Sequence, residues 1–226
     1  MKDYILVEYS ETKRPFSKYP SELARHIFNI CGIGSDAKIL EFGAGRCEMA
    51  AAFQALGANV FIVDNSKASI ETAAELNIHG QYLNYSENEP FEVFPGEQFD
   101  VIFTKSFVEH LPNPVDFVNK ILKSLKKGGL LITLTPDWES NYWNFFDDIT
   151  HIKPFSRVTL QTLYEFCDLE EIQVKRFRQL PSTWNSKIAL LFSWTTSKIF
   201  PKTYRVQNKW IRWSRELMLI GVGVKK

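Results

Sequence analysis

Apolar and polar positions alternate along residues 35–138 in a regular rhythm. Runs of consecutive apolar residues at 38–42, 59–64, 81–83, 99–104 and 130–135 predict short strands. Between them, at 46–56, 67–76 and 115–125, apolar positions recur at helical spacing. Strands apolar on both faces, alternating with helices of about ten residues, imply a parallel sheet covered on both sides. A further helix is expected at 21–31, where Leu23, Ile27 and Ile30 share a face and Gly32 and Gly34 follow as stops. After Trp138 the rhythm breaks. An aromatic loop at 138–155 precedes a helix at 158–167 and strands at 171–177 and 216–224. Between these last two strands lies an insert, 182–215, expected to be largely helical.

Composition narrows the picture mainly by exclusion. The 226 residues carry a net charge of +1, which gives no global case for nucleic acid or a membrane. Cys31, Cys47 and Cys167 are far apart, odd in number and include no C-x-x-C pair, so neither a structural zinc site nor a disulfide framework is indicated, and reduced thiols in a cytoplasmic setting are expected. No apolar run reaches the ~18 residues of a membrane span, and the first residues lack the apolar core of a signal peptide.

In an open parallel sheet, ligands sit beyond the carboxyl ends of the strands. Polar residues mark each of those ends here: Glu41, Asp64, Asn84, Lys105 and Asp137. The segment Glu41-Phe42-Gly43-Ala44-Gly45-Arg46-Cys47-Glu48 is a strand followed by a Gly-rich turn, which lets backbone pass beneath a ligand. Two cofactor classes compete for it. A dinucleotide wants a third glycine where Glu48 stands, and a carboxylate there opposes a pyrophosphate. S-adenosylmethionine is a cation without phosphate and tolerates both Glu41 and Glu48. Asp64, 21 positions after Gly43, suits ribose hydroxyls in either case.

Four ordered segments resemble the class I S-adenosylmethionine-dependent methyltransferases. They are Glu41-x-Gly43-x-Gly45-x-Cys47, then Val60 to Asp64, then Phe99-Asp100-Val101-Ile102, then Leu125-x-x-Gly128-Gly129-Leu130-Leu131-Ile132. Cys47 departs from the third glycine common in that family. The resemblance covers about 21–178 and implies a doubly wound, seven-stranded, mostly parallel sheet whose last strand is antiparallel. It implies that Gly43, Ala44 and Gly45 pass under the methionine moiety, with Glu41 near its ammonium group. Asp64 would hold the ribose. Asn65, Asn84 and Tyr85 would lie near adenine, and Lys105 and Ser106 at the methyl-transfer mouth. The chain then reads as one domain, 1–226: an arm and helix at 1–34, a cofactor half at 35–138 and an acceptor half at 139–226.

The acceptor is less sharply marked. A hydroxyl acceptor benefits from a base. His151 lies in Thr150-His151-Ile152-Lys153-Pro154-Phe155-Ser156, a run resembling that of methyltransferases of sugar and surface-glycan pathways, and is the expected base. His110, in Glu109-His110-Leu111, is expected to shape the pocket. Asp147, Asp148 and His151 lack a specific metal spacing, so no metal is expected, and the two acids could instead cap the following helix. The insert holds seven basic residues, four tryptophans and no acid, which suits an anionic acceptor, a peripheral membrane contact or a homodimer contact. Thr104-Lys105-Ser106-Phe107 does not match the motif that grips a flipped base, so nucleic acid is not expected. The leading expectation is O-methylation of a sugar or sugar-linked metabolite. Methylation of a quinone or lipid at a membrane surface, a non-catalytic cofactor-binding protein and a nucleotide-dependent oxidoreductase are the alternatives.

Overall fold

A computed structural model describes residues 17–85, 91–201 and 206–226. The arm expected at the start of the chain thus lies, apart from its last residues, outside the described residues. In chain order the elements are α1 (Tyr19–Cys31), β1 (Lys38–Phe42), α2 (Glu48–Gln54), β2 (Asn59–Asp64), α3 (Lys67–Glu75), β3 (His79–Tyr82), β4 (Phe99–Lys105) and α4 (Pro114–Ile121). There follow β5 (Leu125–Pro136), α5 (Trp138–Asn141), α6 (Arg157–Phe166), β6 (Leu169–Phe177), α7 (Ser182–Asn185), α8 (Lys187–Ile199), α9 (Lys209–Arg215) and β7 (Met218–Lys225). All seven strands form one sheet in the order β3-β2-β1-β4-β5-β7-β6. Neighbours from β3 to β5 pair parallel, and β7 runs antiparallel to both β5 and β6. This is the expected Rossmann-like fold.

The absence of polar alternation in the strands has a direct structural cause. Ile39, Ile62, Phe103 and Ile132 face one core, shared with Leu23 and Ile27 of α1 and Met49 and Phe53 of α2. Leu40, Phe61, Ile102 and Leu131 face the other, shared with Phe117 and Ile121 of α4 and Leu160 and Tyr164 of α6. Each such side chain gains about 1.5–3 kcal/mol on burial, so two covered faces outweigh any demand for polar positions. The aromatic loop is partly helical, containing α5, and α6 is capped by Ser156 and Thr159 in a reciprocal capping box. Asp147 and Asp148 are therefore not its cap.

After β3 at one edge the chain returns to pair β4 with β1. Strands β1 and β4 stay paired up to Phe42 and Thr104, but the chain leaves β1 toward β2 and β4 toward β5, and a crevice forms at this switch point. Among the described residues the insert is largely helical, as expected, and forms α7, α8 and α9. Trp184 of α7 stacks on His26 of α1 at 4.4 Å between ring centroids, and Trp213 of α9 meets Tyr19 at 5.1 Å.

Candidate active site

The Gly-rich turn leaves β1 with Gly43 and Gly45 both at positive φ, 71° and 56°. A side chain at Gly43 would start 2.5 Å from the Phe107 ring, whereas the space beside Gly45 is open. The turn is pinned from β2: the Gly43 N–H donates to the Val63 carbonyl at 2.9 Å and the Gly45 N–H to Asp64 Oδ2 at 2.9 Å. Ser69 Oγ donates to the Gly45 carbonyl at 2.6 Å. Ala44 is nearly buried. Cys47 takes the left-handed conformation, φ 57°, that a glycine adopts without strain, which accounts for the glycine common there in the resembling family. Burial, reinforced by Glu41 and Asp64, pushes its thiol up to about 12, so it is no nucleophile at neutral pH.

Glu41 is the buried acid under this turn. Burial drives its carboxyl well above the usual range, Lys105 opposes that and Asp64 adds to it. Its Oε2 has no hydrogen-bond partner. An orphaned, buried carboxylate oxygen beside a backbone cradle calls for a cationic ligand. Asp64 closes β2, and its second oxygen accepts from the Ser66 N–H at 2.9 Å, so the carboxylate is fixed at the strand end on the cleft, where ribose hydroxyls would bind. This donor set fits S-adenosylmethionine. Glu48 contributes less than the sequence implies, because Arg46 pairs with it at 2.8 Å and offsets its charge. The case against a dinucleotide rests on Glu41 instead.

These groups line one cleft of about 1630 Å³ at the switch point. Glu41, Gly43, Ala44, Gly45, Asp64, Asn65, Lys105, Ser106, His110 and His151 all reach it. Tyr85 lines it too, but its hydroxyl donates to Asp116 at 3.2 Å and its ring packs edge-on to Phe117. Asn84 is exposed and is not among the lining residues; Leu83, held by its N–H on the Asp64 carbonyl, takes that place. The adenine role expected for Asn84 is thus not supported.

On the acceptor side the sequence reading missed Glu109, although the segment containing it was singled out. Glu109 is fully buried, Thr135 Oγ1 donates to its Oε2 at 3.0 Å and its Oε1 lacks a partner. Burial pushes its carboxyl up to about 7. Its backbone carbonyl accepts from both the Ile152 and Lys153 N–H groups, at 3.0 and 2.9 Å, which clips the loop carrying His151 beside His110. The two imidazoles lie 4.8 Å apart. Burial, then the neighbouring His151, lowers the pKa of His110, whose Nδ1 lies 3.1 Å from the Thr150 carbonyl. His151 Nδ1 lies 2.7 Å from the Phe145 carbonyl. A carbonyl only accepts, so Nδ1 carries the proton and Nε2 of the neutral ring is left as the basic nitrogen. Asp148 is 3.9 Å from that nitrogen, beyond hydrogen-bonding distance.

The potential ligand atoms of Glu109, His110 and His151 lie within 4.8 Å of one another, a different trio from the one the sequence suggested. Donors around a metal at bond lengths of about 2.0–2.2 Å stand roughly 3 Å apart, so a separation at that upper limit would have to close.

The sheet order, the cradle and the paired buried acids define a binding site for a cationic nucleoside cofactor. Residues 14–174 match the methyltransferase-domain family, and the chain belongs to that family. A ubiquinone biosynthesis O-methyltransferase of Bradyrhizobium sp. (strain ORS 278) is 32% identical over 110 residues, 47% of this chain and 43% of the relative. One from Rickettsia conorii is 29% identical over 133 residues, 58% of this chain and 45% of the relative. The chain thus spans under half the length of these curated relatives. Among solved structures, an S-adenosylmethionine-dependent methyltransferase from Archaeoglobus fulgidus shares the fold, with a TM-score of 0.67 at 17% identity, covering 99% of this chain and 100% of that one.

Proposed function

We propose that this methyltransferase acts on a hydroxyl oxygen of a small aromatic acceptor of the quinone-precursor kind, with His151 as the general base. The observation that carries the proposal is the tethered His151 ring, whose Nδ1–H is fixed on the Phe145 carbonyl and whose Nε2 is the acceptor on a cleft-lining residue. A bound hydroxyl would give its proton to that nitrogen as its oxygen becomes nucleophilic. S-adenosylmethionine, when bound, supplies an electrophilic methyl group on a sulfonium centre. Glu41 and Asp64 would hold its cationic and ribose parts, and Lys105, beside both Glu41 and Glu109, offsets their charge.

Two observations favour an aromatic acceptor over the sugar expected first. Phe107, Phe145 and Trp213 line the cleft. The curated relatives are named for O-methylation in ubiquinone biosynthesis. A sugar-linked hydroxyl is the second reading, supported by the sequence run around His151 and by Lys209 and Arg212 on the cleft, which suit a phosphate. Methyl transfer should therefore be measured on catechols bearing an apolar tail and on nucleotide sugars. The catechols should be methylated, and His151→Ala should lower turnover by about 10²–10⁴-fold with S-adenosylhomocysteine affinity nearly intact. Unchanged turnover removes His151 as base. Methylation of nucleotide sugars alone transfers the proposal to the second reading. Tight S-adenosylhomocysteine binding without turnover on either panel points to a non-catalytic protein.

A further inference from the structure

A helix on a protein surface ordinarily turns its large apolar residues inward. Helix α8 does the reverse. Its inner face is small and polar: Ser193 is fully buried, accepts from Arg178 Nε at 3.0 Å and donates to Ser214 of α9 at 2.8 Å. Thr196 Oγ1 accepts from Trp210 Nε1 of α9 at 3.3 Å. Its outer face carries Ile188, Leu191, Phe192 and Ile199, each 61–72% exposed. At about 100° per residue these four fall within an arc of about 100°, an apolar stripe broken by Thr195, whose hydroxyl donates to the Phe192 carbonyl at 2.8 Å. Lys187, Trp194 and Lys198 stand together along one flank, all exposed, with the Lys198 ammonium 5.7 Å from the Trp194 ring.

We propose that α8 is a membrane-docking helix, lying in the headgroup layer of an anionic bilayer with this stripe among the acyl chains. Its 13 residues span only about 20 Å, too short to cross a bilayer. Among the described residues no helix is long and apolar enough to do so. An apolar stripe flanked by lysine and tryptophan is the arrangement that binds in the plane of an interface. The partner's sign follows from charge: the insert 182–215 holds no acid at all. A second copy of the chain seated on the stripe by two-fold symmetry would bring lysine flanks of the same sign to one interface, whereas an anionic surface complements them. Not every basic residue of the insert takes part. Arg215 is buried, with its guanidinium on the Pro201 carbonyl, and Arg212 lies 3.7 Å from Glu216.

Docking through α8 also fits the proposed acceptor. Helix α9, on which α8 packs, supplies Lys209, Arg212 and Trp213 to the cleft lining, so an apolar-tailed substrate in the bilayer would be presented near the site. The link to an amphiphilic acceptor rests on the functional proposal, but vesicle binding does not and is read without any methyl transfer.

The test is flotation of the full chain with phosphatidylcholine vesicles and with phosphatidylcholine–phosphatidylglycerol vesicles, at low and high salt. The chain should float with the anionic vesicles at low salt and less at high salt. Ile188→Asp and Phe192→Asp should each lower that binding about tenfold or more, with the circular dichroism spectrum and S-adenosylhomocysteine affinity unchanged. Lys187→Gln combined with Lys198→Gln should weaken binding to anionic vesicles. Absence of flotation at low salt overturns the proposal, as does flotation that the aspartate variants leave intact. A dimer dispersed by Phe192→Asp in a chain that does not float assigns the stripe to a second copy instead.

Discussion

Cys47 shows how a single residue tests the cofactor turn. It holds φ at 57° between the Gly43–Gly45 cradle and the first turn of α2, with its Sγ 3.4 Å from the Ser69 carbonyl. Glycine reaches that conformation without penalty but would empty a buried site, so Cys47→Gly should change stability by no more than about 1 kcal/mol. A β-branched residue meets the full steric cost, and Cys47→Val should lose about 2 kcal/mol or more in urea unfolding and weaken S-adenosylhomocysteine binding. A Cys47→Val protein as stable as wild type would show that the turn is not held in this conformation. The cradle glycines and Asp64 were legible in the sequence because strand, turn and acid have a fixed spacing. Glu109 was not, since nothing in Glu109-His110-Leu111 reveals that its carboxyl is buried under Thr135. Nor does sequence reveal that Arg46 neutralises Glu48, an ion pair that removes half of the charge argument built on it.

At the scale of elements, legibility followed burial. Strands β1 and β2 begin and end where their apolar runs do, because both faces of each are covered. Strand β3 is mostly exposed and carries no such signature, so its expected position is displaced by two residues at its start. Strand β5 extends back to Leu125 because that residue pairs with Phe99 ahead of a bulge, a long-range contact invisible in a local window. The acceptor loop is held between two elements, the turn at Glu109 and helix α6. Ser156 receives the Thr159 N–H at 3.2 Å and the Thr159 hydroxyl caps in return at 2.8 Å. Ser156→Ala should therefore cost about 1 kcal/mol in thermal unfolding and lower turnover further than its stability loss explains, by loosening the loop that carries His151. Equal activity at full occupancy of the folded state would show that the clip at Glu109 alone fixes the loop.

For the molecule as a whole, the two buried glutamates at the switch point, Glu41 and Glu109, set how stability depends on pH. Glu109 titrates near 7 in the folded chain against an ordinary value of 4.5, and Glu41 is also shifted upward. The folded state thus binds more protons than the unfolded state between those values. The stability that Glu109 contributes is fully present below about pH 4.5 and is lost as pH rises through about 7, and the upward shift of Glu41 acts in the same direction. The lowered pKa of His110 acts in the opposite sense, but only below its ordinary value of 6.5. Above pH 6.5 the ionisation of Glu109 dominates this cluster, so the chain should become easier to unfold with urea as pH rises to 8. Glu109→Gln keeps the shape and a donor for the buried site but cannot ionise. It should flatten that slope and at pH 8 be more stable than wild type by up to about 3 kcal/mol, the equivalent of its shift. The cofactor supplies an independent reading of the same charge. S-adenosylmethionine carries one positive charge more than S-adenosylhomocysteine, so its relative affinity should rise as Glu41 and Glu109 ionise, and less so in Glu109→Gln. Parallel pH slopes in wild type and variant, in both unfolding and ligand preference, would show that Glu109 does not carry this charge.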